Sequence, residues 1–199
     1  MLQLLLQSFK VTLILIFLTG IFYPGVVTLL GQLFFYDKAN GEIVFNDKKQ
    51  IIGCKRIGQA FTKHKYFIGR PSRAGSGYDA LFSGGSNLGP TSQKLFYGAK
   101  DFAGVNELAH YYRQFNDLPE STPIPVDAVT ASGSGLDSDI SYQNALLQSF
   151  RIAKVRNLNV NEVKKLIGDS LIKRDWGFLG EPRVNVLLLN ISLDKLTNK

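Results

Sequence analysis

The stretch VTLILIFLTGIFYPGVVTLLGQLFFY, Val11 to Tyr36, carries no charged side chain and lies between Lys10 and Asp37. As one helix it would measure about 39 Å, enough to cross a hydrocarbon layer of about 30 Å with some tilt. A core helix of a soluble domain is seldom apolar on every face over such a length. The run closes on Phe34, Phe35 and Tyr36, side chains suited to the interfacial belt. It is too long for the apolar region of a cleaved signal peptide, and no small-residue cleavage site follows it. The segment therefore reads as an uncleaved membrane anchor. Pro24-Gly25 falls near its middle and removes a backbone donor, which predicts a kink or a packed neighbour there. Thr19, Gly20, Gly25 and Gly31 are small residues that let another helix approach closely, so helix partners are expected.

Working outward, residues 1–10 form a short N-terminal tail, 11–36 the span, and 37–199 a single extramembrane domain of ordinary size. The chain has 199 residues and a net charge of +7. Since Lys10 is the only charged side chain before Asp37, the domain holds 22 basic and 16 acidic residues. The basic residues are scattered, with neither aromatic interleaving nor a nucleic-acid motif, so a nucleic-acid partner is not expected. A solvated surface near anionic lipid or an acidic partner fits better. Cys54 stands alone, which excludes an internal disulfide and any CxxC site and leaves a small apolar side chain. Lysine and arginine counts on the two flanks would leave the domain in the cytoplasm, but long segments obey that rule weakly.

The domain reads as α+β, with helices covering a small sheet. Glu42–Phe45 and Gln50–Ile57 are extended candidates joined by turn chemistry at Asn46-Asp47. Residues 65–91 are rich in glycine and serine, yet they contain Tyr66, Phe67, Tyr78, Leu81 and Phe82. This predicts a long ordered loop held by buried rings. Phe102, Val105, Leu108, Ala109, Tyr112 and Phe115 make a helical stripe over 101–116, in a helix that could begin at Ser92. Ile124–Thr130 reads as a strand. Ser141 caps a helix running to about Arg156, with Leu146, Phe150 and Ala153 on one face and Asn144, Gln148 and Arg151 on the other. Asn159 and Glu162 open a further helix, whose buried stripe is Val160, Val163, Ile167 and Leu171. RVNVLLLNISL, 183–193, reads as a strand buried on both faces.

Catalytic motifs are missing from the sequence: no phosphate loop, no HExxH and no GxSxG. His64 and His110 lack metal-ligand spacing and read as surface or interface histidines. No metal site and no catalytic residue is expected. Asp137 and Asp139 in GLDSDIS suit turn and cap formation better than paired acid–base work. The runs SGGSN (83–87) and ASGSG (131–135) offer backbone N–H groups that could hold an anion or a partner's carboxylate, the second beside Gln148 and Arg151. A tight connection is the plainer reading of each.

Four segments, YFIGRPS (66–72), SGGSNLGPT (83–91), IPVDAVTASGSGLDSDIS (124–141) and LGEPRVNVLLLN (179–190), together with the span, closely resemble the C subunit of the Kdp potassium-transporting P-type ATPase, the KdpC family. The resemblance implies a non-catalytic accessory subunit of an ATP-driven potassium importer in the cell membrane. Its partners would be a channel-like potassium-binding subunit, a P-type catalytic subunit, a small membrane subunit and the lipid bilayer. Phosphorylation in such pumps falls on a DKTG aspartate of the catalytic subunit, whereas this chain has Asp37-Lys38-Ala39-Asn40. The resemblance places the domain on the extracytoplasmic side, against the lysine and arginine count. It implies no firmly bound cofactor. A role in raising the catalytic subunit's ATP affinity would map to Ser132, Gly133, Ser134 and Gly135 with Gln148, and Arg151 lies beside them. ATP is cytoplasmic, so that role conflicts with an outward-facing domain. Partner-contact candidates are Thr19, Gly20, Pro24, Gly25 and Gly31 in the span and Arg70, Ser83, Gly84, Gly85 and Asn87 in the domain. The family's usual proline and histidine after GLD are replaced here by Ser138 and Asp139. The alternative is a membrane-anchored domain that binds or hydrolyses a ligand alone, using Asp137, Asp139, Arg70 and His64.

Overall fold

A computed structural model describes residues 1–46 and 48–197, which form two units, one up to Ile43 and one from Val44 onward.

The first unit is a continuous helix, Leu2–Phe34, apolar enough to cross a membrane and with no side chain buried within the chain. It starts at Leu2, so the expected tail forms its first turns. Leu2, Leu4, Leu5 and Leu6 are good helix formers, and nothing before Lys10 interrupts them. Its parts are α1 (Leu2–Ile16), a π-helical turn (Phe17–Phe22) and α2 (Tyr23–Phe34). The π turn directly precedes Pro24, and the Tyr23 N–H reaches back five residues to Leu18 O. A proline ring crowds the carbonyl four residues before it, and widening the turn relieves that contact. Thr19 Oγ1 donates to Leu15 O at 2.7 Å. A single turn, α3 (Tyr36–Ala39), follows.

The boundary falls within β1 (Ile43–Phe45), which forms a two-stranded ribbon with β2 (Ile51–Cys54). Asn46 organises its turn by accepting from Lys48 N and Gln50 N. Asp47 lies outside the described residues. Two separate helices occupy the expected 92–116 region: α4 (Gln93–Tyr97), capped by Ser92, and α5 (Val105–Phe115). Gly98, at φ +80, ends the first. Cys54 is half-buried.

Ile124–Thr130 is not a strand. Pro123 and Pro125 deny the ladder two donors, and the chain instead makes a 3-10 turn at Val126–Ala128. That turn aims Asp127 at the N-terminus of α6 (Tyr142–Arg156), where its carboxylate accepts from Ser141 N (2.8 Å), Ser141 Oγ (2.8 Å) and Asn144 Nδ2 (2.9 Å). Asp127→Ala is expected to cost about 2–3 kcal/mol, because it removes an acid from the positive end of the helix and strands buried donors. Urea unfolding of the detergent-solubilised chain, followed by circular dichroism, measures it.

Ser141 caps α6 by accepting from Asn144 N, and Asn159 caps α7 (Val160–Asp169) by accepting from Asn161 N. The sheet is β3 (Asp139–Ser141), β5 (Arg183–Asn185) and β4 (Leu171–Ile172), antiparallel, with β5 central. The predicted strand 183–193 keeps only those first three residues. From Val186 the chain is α8 (Val186–Thr197), with Asn185 Oδ1 accepting from Leu188 N at its start. Val186, Leu189 and Leu193 are buried at helical spacing, but Val186 to Leu189 are four apolar residues in a row, and a short unbroken run of that kind hides its own period. The core joins Phe67, Ile140, Ile152, Val163, Ile167, Val184, Leu189 and Leu193. Val163 and Ile167 are the fully buried part of the predicted α7 stripe, with Val160 and Leu171 packed at its edge.

Candidate functional site

The segment 131–141 is the hub on which the other motif segments meet. Arg70 Nη1 pairs with Asp137 Oδ2 at 2.9 Å, and its other nitrogens reach Thr130 O and Ala131 O. Ser72 Oγ donates to Gly135 O (2.6 Å) and accepts from Ala74 N and Tyr78 N. Tyr78 Oη returns to Arg70 O (2.6 Å). From 83–91, Gly84 N and Ser83 Oγ both donate to Ser134 O. From 179–190, Arg183 Nε and Asn185 Nδ2 donate to the two oxygens of Asp139. Asn190 clasps the backbone of Phe67, accepting from its N–H and donating to its carbonyl. The two glycine-serine runs, 83–87 and 131–135, thus pack on each other. Within them Ser83, Asn87, Gly133 and Ser134 face solvent, while Gly135 is buried.

Asp137 and Asp139 are therefore each held by a different arginine, Arg70 and Arg183. His64 stacks on Phe115, with ring centroids 4.2 Å apart, and takes no part in that arrangement. His110 is an exposed partner of Glu120. Among the described residues, no group of three or more His, Cys, Asp or Glu side chains is placed to hold a metal ion.

The polar face of α6 points inward, opposite to a solvated polar face. Asn144, Gln148 and Arg151 are fully buried, and Phe150 is exposed. Gln148 accepts from Ile68 N and Arg151 Nη2, and donates to Ile68 O and Asn144 Oδ1. Arg151 donates through Nε to Asn116 Oδ1 (2.9 Å), and through Nη1 to Tyr66 O (3.0 Å) and His64 O. The Phe115 ring lies 4.7 Å from its guanidinium carbon. These partners are all neutral, and they replace the hydration that burial removes. As arranged, Gln148 and Arg151 offer no open polar atom to a nucleotide, so the two residues do not fit that ligand.

The loop 65–91 is ordered by Phe67, which is fully buried, and by half-buried Tyr66 and Tyr78. Leu81 and Phe82 do not serve as buried rings: they are 87% and 67% exposed, next to Ser83. Their exposure has no local signal, because an aromatic in a glycine-rich loop reads as an anchor. In the N-terminal helix, no atom of the described residues lies within 4 Å of a Cβ added at Gly20, Gly25 or Gly31.

Burial pushes the Tyr78 phenol up to about 12, with Asp137 adding to the rise and Arg70 opposing it. Burial, then Asp127, raises that of Tyr112, whose Oη donates to Asn144 Oδ1 at 2.7 Å. Both phenols keep their protons longer in the folded chain than in the unfolded one. Stability is thus intact below pH 10 and falls as pH rises from there to about 12, by about 1.4 kcal/mol per pH unit for each tyrosine. Urea midpoints at pH 9 and pH 11 test this, and Tyr78→Phe should flatten the decline.

A family model described as "K+-transporting ATPase, c chain" matches residues 5–195. The chain belongs to the KdpC family. A potassium-transporting ATPase KdpC subunit from Mycobacterium tuberculosis (strain H37Rv) is 52% identical over 192 residues, spanning 96% of this chain and 98% of that one. The subunits of Gemmatimonas aurantiaca, 45% identical over 99% of this chain and 95% of theirs, and of Koribacter versatilis, 43% over 96% and 93%, are similar along their length. KdpC membership makes this chain a subunit of a potassium-transporting ATPase, with one candidate membrane span at its N-terminus.

Proposed function

We propose that this chain is a non-catalytic accessory subunit that assembles and stabilises the potassium pump. Its span packs among partner helices, and its domain stands on the extracytoplasmic side against the channel-like subunit. The observation that carries this reading is the fate of the motif residues. Arg70, Asp137, Asp139, Gln148 and Arg151 are spent on one another and on the backbone, while Leu81 and Phe82 stand in solvent beside the exposed Ser83, Asn87, Gly133 and Ser134. A rigid hub with apolar side chains at its rim suits docking better than turnover, since interface energy concentrates in such anchors. In this reading, any influence on the ATPase subunit's nucleotide affinity passes through contact between subunits.

Co-purification from detergent tests it. The chain should recover its partner subunits, and Leu81→Ser with Phe82→Ser should lower that recovery while leaving the urea midpoint unchanged. Recovery of no membrane partner by the unaltered chain would overturn the proposal. Equilibrium binding of ATP to the purified chain, lost on Gln148→Ala, would favour a nucleotide-binding regulator instead.

A further inference from the structure

From Lys48 to Tyr78 the sequence contains eight lysine or arginine residues and no aspartate or glutamate, although the whole chain holds 23 basic and 16 acidic side chains. This segregated charge starts on the β1–β2 ribbon, whose tip carries Lys48 and Lys49 and whose second strand leads into Lys55, all exposed. Asn46 N donates to Gln50 O, a register that sets Phe45 beside Ile51 across the ribbon. Phe45 is 55% exposed and Ile51 66%, and Ile43, two residues from Phe45 and so on the same face, is exposed as well. An apolar face of a two-stranded ribbon left in water is unfavourable, and a ribbon alone is marginally stable.

The ribbon also begins close to the span along the chain. Phe34 ends α2 and Ile43 opens β1, a separation bridged by at most about 30 Å of extended backbone. Apolar side chains flanked by lysines, tethered this near to a bilayer, have the composition of an interfacial element: the apolar groups enter the headgroup–acyl boundary and the ammonium groups meet lipid phosphate. We infer that the β1–β2 ribbon is an anionic-lipid-binding element, with Phe45 and Ile51 seated in the interface and Lys48, Lys49 and Lys55 on acidic headgroups. Asp37, Glu42 and Asp47 all precede Lys48 in the chain, so the positive charge is concentrated from the tip onward. Lipid contact of this kind requires the span and no particular partner subunit.

The chain has one tryptophan, which makes a direct test possible. Full-length Trp176→Phe, Phe45→Trp chain is reconstituted without partners into nanodiscs whose lipid is brominated near the headgroup end of its acyl chains. Quenching of the ribbon tryptophan is expected in phosphatidylglycerol discs and loss of most of it in phosphatidylcholine discs. Lys48→Glu, Lys49→Glu and Lys55→Glu together should abolish the phosphatidylglycerol effect. Equal quenching in both lipids, no quenching in either, or shielding that appears only in the assembled pump would each overturn the inference; the last would assign the ribbon to a protein partner. Failure of the chain to enter discs at all would instead overturn the membrane span itself.

Discussion

Arg151→Met is expected to destabilise the extramembrane domain by about 3–5 kcal/mol, because it leaves several acceptors without a donor, at about 1–3 kcal/mol for each one that is buried. Methionine fills much of the volume but donates nothing. His64 O, Tyr66 O, Asn116 Oδ1 and Gln148 Oε1 would each lose a donor, the last two where water has little access. The guanidinium joins α6 to the segment just before YFIGRPS and to the end of α5, so its loss should also loosen 64–68. Two measurements separate this from a generic core defect. Urea unfolding by circular dichroism gives the magnitude, and amide exchange should accelerate at Phe67 and Ile68 more than in α7. Arg151→Lys keeps the charge but presents three donors from one point in place of a planar fork, and should recover less than half of the loss.

Within SGSG, the two glycines should respond in opposite ways. Gly135 sits at φ +68, and a Cβ there would stand 2.5 Å from Gly84 O and 2.7 Å from Ala74 N, both backbone atoms. Gly135→Ala should cost about 3–4 kcal/mol, from left-handed strain and from prising apart the two glycine-serine runs. Gly133, by contrast, has nothing within 4 Å of the place a methyl group would take, and Gly133→Ala should change stability by less than about 0.5 kcal/mol. The pair therefore divides architecture from contact. If the run is a docking surface, Gly133→Glu should weaken recovery of partner subunits while the urea midpoint holds, whereas Gly135→Ala should lower both together. Unchanged recovery with Gly133→Glu would remove Gly133 from the interface.

Much of this molecule is legible one segment at a time. The uncharged run before Asp37 announces a helix that water does not favour, and Ser141 and Asn159 announce the starts of α6 and α7 through side-chain oxygens that reach nearby N–H groups. The motif segments announce the family. Where segment and fold disagree, the cause lies in distant packing. RVNVLLLNISL is continuously apolar from Val186 to Leu189, so neither period shows at its centre, and only packing against the core selects the helix from Val186. Leu81 and Phe82 look like anchors until the loop is folded and leaves them outside.

The site shows the same division. Its residues are identifiable from the chain alone, because Gln148 and Arg151 share a helix face and Ser132–Gly135 make a tight turn. Their direction is not. A polar helix face normally turns to water, and this one turns inward because Ile68 N, Ile68 O, Tyr66 O and His64 O arrive from 80 to 87 residues earlier in the chain to meet it. The sequence by itself determined the long apolar N-terminal helix and the helix caps, which depend on hydrophobicity and short-range hydrogen bonding, and the family, which its motif segments carry. Only the tertiary structure decided which polar groups are consumed inside the fold and which apolar ones remain outside. Burial depends on the partners that distant segments deliver, and no local pattern encodes them.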